Sequence, residues 1–413
     1  MHALTGNSRR LALALLVIAL ILRMWGVGDF SSFQGDDREF VPKAKLYMEQ
    51  GQFTNALWYH PPLGSILLYA SIAVFGDNVY GWRMTNLLLG ALSVLLVFLI
   101  GGELFKGLDA ALLAALLLLF DPLHILLSRT TFEEVQAVAF FLAAVYTVLR
   151  YLRGALVWAP IAGVFLGMSI ATKWYYAPAA LILVVASLAG KGKAQGRSLS
   201  TASFTIASLV LIPLCVYLLV FLPWFGRGYD LSDLLTIHVN ALGKSQALYL
   251  DRFSSLLAAD FVPPSSWFVR PILFGFRIPA EGSMTQYVVF MNNMPWLLLT
   301  LPALLVLAWG LYRNRGPLPI ALLLAVFVST YVQFLIVQRP IFLYSSLALV
   351  PFAALAIAGV YVQMTAGIGR RNLTVGWAAG AVTIVGLYLY PLITMKHVPE
   401  AMYHPLLSLG RMY

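Results

Sequence analysis

"RMTNLLLGALSVLLVFLIGGEL", residues 83–104, is an apolar run bounded by Arg83 and Glu103. As a helix it would reach about 33 Å, enough to cross a hydrocarbon core of roughly 30 Å. Comparable runs recur, and we place spans near 10–27, 83–104, 109–127, 134–150, 155–172, 175–190, 201–223, 294–312, 318–337, 341–360 and 373–391. The 413 residues are 61% hydrophobic and 11% charged, whereas a soluble domain carries roughly 25% charged residues. This pattern predicts an all-α polytopic membrane protein of about eleven transmembrane helices, forming one unit over 1–413.

Charge sets the expected orientation. Arg9/Arg10, Lys106, Arg150/Arg153, Lys191/Lys193/Arg197, Arg313/Arg315 and Arg370/Arg371 all fall on one side, joined there only by the acids Glu103 and Asp109. The positive-inside rule then puts the N-terminus in the cytoplasm and the C-terminus outside. The net charge of +10 comes from these inter-span clusters and does not indicate nucleic acid. The N-terminal run follows Arg9 and Arg10 without a small-residue cleavage site, so it reads as an uncleaved first span. "LGSILLYASIAVFG" (63–76) is too short to span and is expected to lie in the outer interface. Two large outer loops result, at 28–82 and 224–293. The single cysteine, Cys215, lies within an apolar run; it excludes an intramolecular disulfide and is expected to serve packing.

The outer loops carry the chemistry-bearing residues. "FQGDDREFVPKAKLYM" (33–48) groups Asp36, Asp37 and Glu39 just after the first span. "HPPLG" (60–64) follows, and "SRTTFEE" (128–134) brings Arg129, Glu133 and Glu134 to the same expected face. Charges at a membrane boundary are hydrated, paired or used, so position alone leaves both a set of solvated loop charges and a site open. His60 by itself reads as a turn residue, and Lys173 and Arg339 as snorkelling cations. Yet Arg129, Lys173, Arg270 and Arg339 all sit on the cation-poor side, which favours an anionic ligand such as a lipid phosphate. P-loop, dinucleotide, HExxH and GxSxG motifs are absent.

Together these segments resemble the protein O-mannosyltransferases and, more broadly, the polytopic glycosyltransferases of the GT-C fold that use polyprenyl-phosphate sugars. "GDDREFVPKAKLYM" is similar to the family's acidic first-loop motif, with Asp37 in place of the usual glutamate. "HPPLG" matches its most specific short motif, with Ser65 where a lysine commonly follows. "FDPLHILLSRTTFEEV" resembles the second-loop region, with Glu134 where aspartate is usual. "ATKWYY", "SSWFVRPI", "NNMPW" and "RPIFLYSSLALVPF" resemble further elements, the last with Ser345 and Ser346 replacing the usual histidine or tyrosine. Loop 224–293 holds no extra soluble domain, which fits a compact prokaryotic member in the plasma membrane.

The resemblance implies inverting transfer of a sugar, mannose in this branch, from a polyprenyl-phosphate donor to a hydroxyl of protein Ser or Thr on the extracytoplasmic face. It casts Asp36 as general base, with Asp37 and Glu134 as its catalytic companions. His60, Arg129, Lys173, His238, Arg270 and Arg339 are the expected substrate-binding residues, the cations stabilising the departing phosphate. Asp36, Asp37 and Glu134 could ligate a divalent ion, but the resemblance implies no metal or other cofactor. Two alternatives stay open: transfer of a sugar such as aminoarabinose to a lipid or wall glycan, and a transporter. A transporter would place ionisable residues at mid-membrane, where Asp121 is the one carboxylate well inside a span. The acceptor and the oligomeric state are not legible.

Overall fold

The computed structural model describes residues 6–29, 37–51, 60–194, 199–239, 263–269, 273–279, 285–291, 297–314, 317–337, 341–366 and 371–394. A helix occupies each segment expected to span. In chain order these are α1 (Gly6–Met24), α4 (Val79–Phe105), α5 (Leu108–Leu119) with α6 (Pro122–Ser128), α7 (Glu133–Leu152), α8 (Trp158–Ile170) and α9 (Ala177–Ala194). They continue with α10 (Leu199–Leu219), α11 (Leu297–Asn314), α12 (Leu318–Ile336), α13 (Val350–Thr365) and α14 (Arg371–Ile393). Between α1 and α4 lie α2 (Asp37–Gln50) and α3 (Leu63–Phe75). Five described helices, α4, α7, α10, α12 and α14, are individually long and apolar enough to cross a bilayer, and α5 with α6 makes a sixth.

The third expected span departs from a straight rod. α5 and α6 meet at a bend of 60°. Pro122 supplies no backbone N–H and sits at the first helical position, where none is needed. Asp121 caps the new helix, its Oδ1 accepting from the His124 N–H at 2.8 Å. The carboxylate inside the span is therefore a helix cap.

The 63–76 segment forms a helix of 13 residues, about 20 Å long. Gly76 ends it at φ 87, a conformation few other residues adopt. Asn78 then caps α4, accepting from Tyr80 N–H at 2.9 Å and Gly81 N–H at 3.3 Å. α2 packs on α3 and α3 on α4, so the first loop is a folded layer. Within the second large loop the backbone forms an antiparallel hairpin, β1 (Leu273–Pro279) with β2 (Thr285–Met291), lying against α6 and α14.

The core is centred on α4, α5, α7 and α13, whose facing sides are rich in Ala, Leu and Val. In lipid, helix association depends on close packing and internal hydrogen bonds, which favours small residues at contacts. Gly163 of α8 is one such contact: a Cβ there would lie 1.9 Å from the Ser208 carbonyl. Ser208 belongs to a π-helical turn, Ala207–Leu211, inside α10. Peripheral helices keep apolar faces outward, as at Leu305, Trp377 and Ile384. Cys215, expected in packing, is on this exposed surface.

Candidate active site

The acidic segment is anchored by an arginine that lies just inside a span. Asp37 opens α2 and is fully buried. Its Oδ2 accepts from Arg83 Nε at 3.1 Å and Nη2 at 2.7 Å. Its Oδ1 accepts from the Thr131 backbone N–H at 3.0 Å and hydroxyl at 2.8 Å. Arg83 also donates to the Val27 carbonyl at 3.2 Å. One turn on, Asn86 donates to the Thr130 and Phe132 carbonyls at 2.6 and 2.8 Å and accepts from Gln136 at 2.9 Å. Asn86, near the start of the apolar 83–104 run, thus binds the 130–132 segment, where backbone carbonyls need donors.

A second buried cluster lies where three sequence motifs meet. Lys173 Nζ stands 2.9 Å from Glu134 Oε1 and 3.3 Å from Glu133 Oε2, with all three side chains 2–3% exposed. Gly64 of "HPPLG" lies directly on Glu133, where a Cβ would come within 2.6 Å of Oε1. The neighbouring Leu63 N–H donates to the Ala171 carbonyl at 3.1 Å. Burial pulls the Lys173 ammonium down, but the carboxylates of Glu134 and Glu133 outweigh it and hold the group above its ordinary value. Glu134 Oε2, Ser65 Oγ and the hydroxyls of Tyr175 and Tyr176 are buried without a hydrogen-bond partner among the described residues.

The remaining expected residues have distinct surroundings. His60 stacks on Phe40 at 6.4 Å, and Phe40 also carries the Lys43 ammonium at 4.7 Å. Lys43 pairs with Glu39 at 3.3 Å. His238, in the helix at 231–239, bonds the Tyr217 hydroxyl through Nε2 at 2.6 Å and the Leu234 carbonyl through Nδ1 at 2.7 Å. Tyr217 in turn accepts from Trp174 Nε1 at 2.7 Å. A neutral ring with its proton on Nδ1 satisfies all these bonds. His238 therefore braces the residue beside Lys173 and stands outside the carboxylate cluster.

Arg129 turns toward α1. Its Nη1 donates to the carbonyls of Arg23 at 2.7 Å and Trp25 at 2.8 Å, at the end of that helix, where cations are favoured. Arg23 is itself buried and donates to His124 Nδ1 at 2.7 Å. Asp36, Arg270 and Arg339 lie outside the described residues. Arg83, Asn86 and Thr131 were not singled out from sequence. The available signal was Arg83 itself, a cation at the expected outer end of a span. No group of three His, Cys, Asp or Glu side chains suited to a metal occurs among the described residues.

This fold recurs in solved structures. One is the S. cerevisiae protein O-mannosyltransferase Pmt1-Pmt2 complex bound to the sugar donor, with TM-score 0.82 and 13% identity over 98% of this chain and 92% of that one. A second is ArnT from Cupriavidus metallidurans bound to undecaprenyl phosphate, with TM-score 0.57 and 14% identity over 96% of this chain and 76% of that one. The fold is that of the GT-C glycosyltransferases. The dolichyl-phosphate-mannose-protein mannosyltransferase family model matches residues 13–227, and the chain belongs to that family. A polyprenol-phosphate-mannose–protein mannosyltransferase of Mycolicibacterium smegmatis (strain MKD8) is 25% identical in an alignment that covers 92% of this chain and 88% of that protein.

Proposed function

We propose that this membrane glycosyltransferase moves mannose from a polyprenyl-phosphate donor to a Ser or Thr hydroxyl of a protein, on the extracytoplasmic face. The observation that carries this reading is the convergence of "HPPLG", "TTFEE" and "ATKW" on the Glu133–Lys173–Glu134 cluster, beside an acidic segment clamped at Asp37. The family membership and the relative's printed substrate, polyprenol-phosphate-mannose, support it.

Asp37 has both oxygens occupied by Arg83 and Thr131. It is better suited to position the segment than to take a proton. Asp36, its neighbour in the chain, is our candidate base for the acceptor hydroxyl. Displacement at the anomeric carbon joins it to the acceptor oxygen and breaks its bond to the phosphate oxygen. The acceptor proton goes to Asp36, and the phosphate leaves as an anion. Arg339 and Arg270 are our candidates for stabilising that charge, since Arg129 holds the end of α1. Glu134 and the buried tyrosine hydroxyls would read sugar hydroxyls.

The test is transfer from polyprenyl-phosphate mannose to a Ser/Thr peptide by purified protein. Asp36→Asn should bind donor yet lose about 100- to 10,000-fold in turnover. A wild-type rate in that variant would move the base elsewhere. The face is tested separately, by impermeant thiol labelling of Gln52→Cys in a Cys215→Ala background. Labelling only after lysis would reverse the orientation.

A further inference from the structure

A cavity of about 380 Å³ opens at the end of the bundle opposite the acidic site. α4 and α7 set the separation, since each starts at the site and ends beside the cavity, at Phe105 and Leu152. α7 alone spans about 30 Å, one hydrocarbon thickness. The cavity wall carries Arg9, Lys106, Arg150 and Arg153 against one carboxylate, Glu103.

That carboxylate is already engaged. Arg150 Nη1 lies 3.2 Å from Glu103 Oε1 and Arg153 Nη1 2.7 Å from Oε2. Arg153 also donates to the Glu103 carbonyl at 2.9 Å. Arg9 and Lys106 are exposed and form no ion pair among the described residues, and Arg150 Nε is a buried donor without a hydrogen bond there. The site therefore keeps a surplus of positive charge facing an open volume.

Lys106 strengthens the case. It caps α4 at φ 53 and is the one non-glycine residue with positive φ among the described residues. Glycine adopts this conformation more easily. Lysine at this strained position keeps an ammonium at the cavity mouth, and strain of this kind gathers at ligand sites. The other part of the wall is apolar, with Phe98 and Leu99 of α4 and the exposed Leu108 of α5. A free anion uses only the cations. A lipid phosphate uses both, with its headgroup against the cations and its chain along the apolar wall.

We propose that this cavity binds the phosphate headgroup of an anionic membrane lipid, in the leaflet opposite the acidic site. Purified full-length protein is titrated with phosphatidylglycerol, phosphatidylcholine and inorganic phosphate, and bound species are counted by native mass spectrometry. Phosphatidylglycerol should bind in preference to the other two. Each basic side chain near an anionic lipid contributes about fivefold, so the Arg9→Gln/Lys106→Gln double variant should bind it about 30-fold more weakly. The charge-conserving Arg9→Lys/Lys106→Arg variant should retain binding. Unchanged phosphatidylglycerol binding in the glutamine variant overturns the proposal. Equal binding of phosphatidylcholine, or binding of inorganic phosphate without the lipid, does so too.

Discussion

Arg83 donates two hydrogen bonds to a single oxygen of Asp37, at 3.1 and 2.7 Å, while Thr131 fills the other oxygen with two more. One buried carboxylate thus joins the first loop, the start of α4 and the segment leading into α7. Buried ion pairs are tolerated only when fully satisfied, and breaking one from a single side leaves an uncompensated charge.

Arg83→Ala should therefore destabilise the protein by about 3 to 5 kcal/mol. Asp37→Asn should also lower the melting temperature, because Arg83 loses its counter-charge. Melting curves in detergent check both. Wild-type stability in Arg83→Ala would show that the pair does not hold the loop. The contrast with Asp36→Asn, which should melt normally but fail to transfer, separates the clamp from the base.

Lys173 holds two carboxylates together, so Lys173→Met should leave Glu133 and Glu134 facing each other in a buried site. A loss of about 3 to 5 kcal/mol is expected. The folded ammonium titrates above 10.5, its ordinary value. Its stabilising contribution is therefore fully present below 10.5 and fades as pH rises through the folded value. The melting gap between wild type and Lys173→Met should stay constant from about pH 7 to 10 and narrow above that range. A gap that closes between about pH 7 and 10 contradicts the assignment.

Gly64→Ala places a methyl group 2.6 Å from Glu133 Oε1. Both neighbours are held, Leu63 by its backbone bond to Ala171 and Glu133 by Lys173. Overpacking at such a point costs about 1 to 3 kcal/mol, and transfer should fall as Glu133 and Glu134 shift. An alanine variant with unchanged melting and rate would mean the "HPPLG" contact is slack.

Arg129 and Arg339 should separate by readout. Arg129→Ala removes two bonds at the end of α1 and should act mainly on stability. Arg339→Ala should preserve melting and lower turnover by about 30- to 1000-fold, the effect of one charge-assisted contact to the leaving group. Paired melting and transfer assays check this. A stable but inactive Arg129→Ala would return that residue to the phosphate.

Where the apolar helices lie was legible because a bilayer imposes a common length and polarity on crossing helices. The apolar runs at 83–104, 134–150 and 318–337 correspond closely to α4, α7 and α12. The family resemblance marked "HPPLG", Glu134 and Lys173 as residues of interest, and packing brings them together. Partner choice was not legible. Arg129 and Lys173 are equivalent as cations at expected outer span ends, yet one binds helix carbonyls and the other two carboxylates. Asp121 resembled a mid-membrane charge until the 60° bend made it a cap. Arg83 looked like the flank of a span until the folded first loop set Asp37 against it. The sequence determines which segments form apolar helices, because that depends on each segment's own transfer into lipid. Only the tertiary structure decides which buried charges meet, because that depends on segments distant in the chain and on the requirement that each buried polar group find a partner.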